Sequence, residues 1–163
     1  MSKPFDFADV RQGDVLLYRP TGIFGKVLAI KTWTHVSHVE VYAGGGTALA
    51  SRDGKGVARY ALRTADLGYV LRPTKRLDWD AAIEWFYNKA DGQKYDWKGI
   101  MVFSLAVRQG AMDRMFCSEF ACRFFDRAGH PLFAPGWDAD RTPPSMLLAT
   151  RELELVWQDG KPI

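Results

Sequence analysis

From His38 to Ala43 the sequence reads HVEVYA, and apolar and polar residues alternate without a break. In an extended chain Val39, Val41 and Ala43 fall on one face, and His38, Glu40 and Tyr42 on the other. The segment Val36 to Ala43 therefore predicts a strand with one polar face. Gly44, Gly45 and Gly46 follow at once and supply the unrestricted backbone of a hairpin turn, with Thr47 to Ser51 as the returning partner.

The flanking segments extend this hairpin into a sheet. Asp14 to Tyr18 (DVLLY), introduced by Gly13 and closed by Pro20, predicts a short buried strand. Gly56 to Leu62 and Gly68 to Arg72 predict two more, and the alternation of Glu152 to Trp157 predicts an edge strand. Helical spacing appears over Phe24 to Lys31, from an Asp78 cap to Asn88 or Ala90, over Trp97 to Val107, and from Cys117 to Ala128 with Gly129 as its stop. Thr142, Pro143 and Pro144 open a last short helix. This order predicts an α+β fold, a small antiparallel sheet packed against helices. At 163 residues it fits a single domain, 1–163.

Composition narrows the function classes. The 22 basic and 19 acidic residues are scattered, with no cationic run to follow a phosphate backbone, so no nucleic-acid partner is expected. No stretch approaches the ~20 apolar residues that span a bilayer, so no stable membrane insertion is expected either. Met1 to Val10 lacks the apolar core of a secretory signal, and the expected location is cytoplasmic, or outside after delivery without a classical signal peptide.

The two cysteines, Cys117 and Cys122, stand five residues apart, about 140° around a helix, a poor geometry for a disulfide. Cys117 lies where an irregular stretch gives way to helical spacing. There the amide N–H groups and positive dipole end of a helix favour a thiolate, and the backbone of the same turn offers an oxyanion site. Position alone favours a buried structural thiol. Cys122, inside the apolar helix, reads as packing, so Cys117 is expected to be the partly exposed thiol of the two. His38, on the polar strand face, is a better partner for a thiolate than His35, which precedes the alternation, although either fits a hydrogen-bonded surface histidine. His130, at a helix end, reads as structural. A metal site from His35, His38 and Cys117 lacks paired-cysteine or His-x-x-x-His spacing, and no cofactor is implied.

The ordered set Gly13-Asp14-Val15-Leu16-Leu17, Ser37-His38-Val39 leading to Tyr42 and the glycines, Gly56-Val57, Tyr95-Asp96 and Phe116-Cys117-Ser118-Glu119 resembles a known family. It is similar to the circularly permuted branch of the NlpC-type papain-fold cysteine peptidases, which includes the YiiX-like proteins and is related to the lecithin:retinol acyltransferase-like proteins. The likeness spans about Gly13 to Ala128. It implies a permuted papain-like fold, in which the histidine strand precedes the cysteine helix, with Cys117 as nucleophile and His38 as base. Tyr95 matches a tyrosine near the active site of such proteins, an oxyanion or substrate contact. Where many relatives carry a polar residue to orient the histidine, this chain has Ala50, leaving Glu40 or Ser51 as the third member, or a backbone carbonyl or water where neither serves. The function implied is a cysteine hydrolase of amide bonds, with a peptide or acyl substrate and peptidoglycan peptide foremost. The alternatives are a lipid acyltransferase or thioesterase of the related branch, and a non-catalytic binding module of the same fold.

Overall fold

A computed structural model describes residues 5–21, 35–95 and 114–159. Its centre is a six-stranded antiparallel sheet made of β1 (Val15–Tyr18), β2 (His38–Gly44), β3 (Thr47–Arg52), β4 (Gly56–Ala61), β5 (Leu67–Pro73) and β8 (Leu153–Gln158). The strands lie in the order β4-β3-β2-β1-β5-β8. The architecture is α+β and compatible with a small papain-like fold.

β1 is unbrokenly apolar because it lies inside the sheet with both faces covered. Val15 and Leu17 join a core with Val39, Val41, Leu49, Tyr69 and Leu71, against which the helices pack. Leu16 and Tyr18 face the other way, into a smaller cluster with Tyr42, Ala48 and Val70 that Phe5, Leu62 and Trp157 cover. The expected β2–β3 hairpin forms, with Val41 opposite Leu49 and Tyr42 opposite Ala48. Its turn places Gly44, Gly45 and Gly46 at φ of +85°, +60° and +69°, where a side chain would be strained.

Helix α1 (Trp79–Trp85) starts as its sequence requires, with Asp78 accepting a bond from the Ala81 N–H at 3.1 Å. The helical segment reaches Ala90, but Phe86–Ala90 widens into a π turn. Helix α2 (Cys117–Arg127) lies across β2 and β3 and buries Phe120, Ala121, Phe124 and Phe125. Trp79 packs edge-on against Phe124 at 5.3 Å, and Phe86 against Phe120 at 6.0 Å, joining the two helices. The Pro143-Pro144 signal yields a 3-10 turn, Pro144–Leu148. Two more 3-10 turns, Phe7–Asp9 and Ala139–Arg141, have no counterpart in the sequence reading. The helices expected over Phe24 to Lys31 and Trp97 to Val107 lie outside the described residues.

A second, two-stranded sheet was not foreseen. β6 (Lys94–Tyr95) and β7 (Arg114–Met115) run parallel, with Tyr95 opposite Met115. β4 anchors this annex: the Val57 N–H donates to the Gln93 carbonyl at 2.8 Å, and the Gly92 N–H to the Val57 carbonyl at 2.9 Å. Gly56 makes the approach possible, since a Cβ there would stand 2.2 Å from the Gln93 oxygen. Among the described residues no helix is long and apolar enough to cross a membrane.

Candidate active site

His38 opens β2 and Glu40 follows two residues later, so the pleat directs both side chains to one face. The His38 Nε2 and Glu40 Oε1 atoms are 3.0 Å apart. Glu40 is fully buried, and its remaining lone pairs are occupied. Arg52, at the end of β3, donates from Nε to Oε1 at 2.8 Å and from Nη2 to Oε2 at 3.0 Å. The Tyr18 hydroxyl lies 3.3 Å from Oε2, and Arg63 Nε is 3.8 Å from Oε1. Burial alone would raise the carboxyl's pKa, but the hydrogen bonds and charges of His38 and Arg52 outweigh it and hold Glu40 at about 2. Glu40 is a carboxylate throughout the physiological range.

His38 is under the opposite pressure. Burial favours its neutral form, yet the charge and hydrogen bond of Cys117, followed by those of Glu40, raise it to about 9. The imidazole therefore keeps its proton at neutral pH, between a carboxylate and a sulfur. With Nε2 turned to Glu40, Nδ1 is the ring nitrogen left for Cys117.

Cys117 is the first residue of α2. The preceding Phe116 is extended, with φ −93° and ψ 171°, and its side chain makes no capping bond, so it leaves first-turn N–H groups for other partners. Cys122 sits five residues further on, its thiol pushed up to about 12 chiefly by burial. The expectation that Cys117 would be the exposed thiol is corrected here: Cys117 is 2% exposed and Cys122 4%. The difference between the thiols lies in their neighbours. Cys117 meets His38 across the gap between helix and sheet, whereas Cys122 lies in the packed body of α2 beside Thr142.

Of the two candidates for the third position, Glu40 meets the histidine. Ser51 instead donates from Oγ to the Met115 carbonyl, tying β3 to the chain just before Cys117. Ala50 is fully buried on the same strand. Tyr95 is half-buried and brought level with Met115, two residues from Cys117. His35 is exposed before β2, and His130 is buried with Nε2 2.8 Å from the Glu152 carbonyl, so neither joins this group.

Sequence reasoning missed Arg52, Tyr18 and Arg63. A signal existed for Arg52 alone: continuing the Val41–Leu49 register by three residues brings it level with His38. Tyr18 faces His38 across β1 and β2, a pairing fixed only once the strand order is known.

No protein-family profile matches the sequence. The chain is 27% identical, over 160 aligned positions that take in 76% of its length, to an Escherichia coli (strain K12) protein described as "Probable lipoprotein peptidase YaeF". The chain spans 58% of that relative's length. It is thus similar, at low identity, to a protein named as a peptidase.

Proposed function

We propose that this protein is a cysteine hydrolase of the permuted, papain-like NlpC type, cleaving an amide bond with Cys117 as nucleophile, His38 as acid and base, and Glu40 as the residue that orients His38. The observation that carries this reading is the convergence of a buried carboxylate, a protonated imidazole and a helix-terminal thiol. The relative's peptidase name agrees with it.

In this reading, the Cys117 thiolate attacks the substrate carbonyl carbon while His38 holds the proton. Negative charge passes to the carbonyl oxygen, which the backbone N–H groups of the first turn of α2 stabilise, with Tyr95 as a further contact. His38 then gives its proton to the leaving nitrogen, and the C–N bond breaks to leave a thioester on Cys117. Water attacks the thioester, His38 takes the water's proton, and the C–S bond breaks to release the acid and restore the Cys117 thiolate. Glu40 stays ionised throughout and holds the imidazole plane.

Cell-wall peptide is the substrate class favoured by the family resemblance. Incubated with muropeptides, the protein is expected to release free peptide fragments, and Cys117→Ala to abolish release while leaving the fold intact. Incubation with phospholipid or acyl thioester is expected to leave the mass of Cys117 unchanged. A long-chain acyl adduct on Cys117 would move the assignment to acyl transfer, and unimpaired function in Cys117→Ala would move it to a binding module.

A further inference from the structure

Glu40 can serve His38 only if it is charged and if Oε1 stays aimed at Nε2. Neither follows from its place on β2. A fully buried carboxyl is driven toward its neutral form, and three side-chain torsions would let Oε1 swing away from the ring.

The geometry at the end of β3 answers both requirements. The Arg52 guanidinium spans Glu40 as a fork, with Nε on Oε1 and Nη2 on Oε2 at 2.8 and 3.0 Å. The oxygen that receives Arg52 Nε is the one that meets His38. Arg52 is itself fixed, Nη2 also donating to the Ala61 carbonyl at 3.2 Å and Cζ lying 4.3 Å over the Tyr60 ring. Arg63 does not duplicate it: its Nε stands 3.8 Å from Oε1, beyond hydrogen-bond reach, and its guanidinium stacks on Tyr18 instead.

We propose that Arg52 is a positioning residue for the catalytic pair, clamping the Glu40 carboxylate so that Oε1 stays on His38 Nε2. This rests on the assignment of Cys117 and His38 above. The charged and titratable groups around Glu40 are Tyr18 from β1, His38 from its own strand, Arg52 from β3, Tyr60 from β4 and Arg63 beyond β4. His38 additionally faces Cys117 from α2 and Asp53 in the turn after β3. Arg52 is the group among them that contacts both carboxylate oxygens with a permanent positive charge.

The test needs no substrate. The full chain and its Arg52→Gln and Arg52→Lys variants are labelled with iodoacetamide from pH 3 to 10, and the rate at Cys117 is read by peptide mass, with thermal melting alongside. In Arg52→Gln, Glu40 loses its main cation and the fork that aims Oε1 at His38. The labelling rate at Cys117 around neutral pH is expected to fall by about ten- to a hundredfold. Arg52→Lys keeps the charge without the fork, so its rate is expected to lie between those of the wild type and Arg52→Gln. A folded Arg52→Gln with the wild-type profile, or one that only melts earlier, overturns the proposal. Where Arg52→Gln does not fold, an Arg52→Lys rate equal to the wild type does the same. Wild-type Cys117 labelling no faster than Cys122 at any pH overturns the nucleophile assignment itself, and the proposal with it.

Discussion

Depth does not distinguish the two thiols of α2, so at the scale of residues the question is what surrounds each sulfur. Cys117 faces a protonated imidazole at a helix start; Cys122 faces packed side chains that push its thiol up to about 12. The nucleophile is the thiolate, and Cys122 has almost none at neutral pH. Limiting iodoacetamide at pH 7 is therefore expected to label Cys117 at least about tenfold faster than Cys122, whose burial holds it as a thiol. Equal rates would count against an activated Cys117. On the proposed mechanism, His38→Ala removes the cation and the general base together, and is expected to slow turnover by about 10²- to 10⁴-fold. The identities of Cys117 and His38 as candidates were legible from residue type and local pattern. The choice between Glu40 and Ser51 was not, because on a strand both can be drawn near a histidine until side-chain directions are known.

Elements with a strong period were the most legible. The β2–β3 hairpin and α2 match the sequence reading closely because alternation, a glycine run and a terminal Gly129 at φ +69° each speak for one local geometry. The β6–β7 pair could not be read, since two-residue strands have no period and their partner lies far along the chain. Ser51 shows what that annex does. Its hydroxyl satisfies the buried Met115 carbonyl, joining β3, the strand beside His38, to the segment that leads into Cys117. Ser51→Ala is expected to cost about 1 to 3 kcal/mol in urea unfolding, the penalty of an unpaired buried acceptor. The pH limits of Cys117 labelling should not move, because Ser51 does not touch His38. A shifted limit would assign Ser51 to the catalytic group instead.

For the molecule as a whole, the buried charges make folding stability depend on pH. His38 is raised in the native state, so its contribution is complete below its ordinary value near 6.5 and is lost as pH rises through about 9. Glu119 is raised to about 8, by burial first and then by Asp140, so its share is complete below 4.5 and is lost as pH rises through 8. Glu40 is depressed, and its share is present above 4.5 and lost as pH falls through about 2. The melting temperature is expected to fall between pH 5 and 9.5, and Glu119→Gln to flatten the part of that decline below about pH 8. A flat wild-type curve would refute these shifts. The division of the proposed site between sheet and helix also bears on when it can form. Chain order puts His38, Glu40 and Arg52, on β2 and β3, ahead of Cys117, so during synthesis they leave the ribosome first. The pairing of Cys117 with His38 exists only once α2 has settled on β2 and β3. On the proposed reading, the protein cannot be armed before it is built.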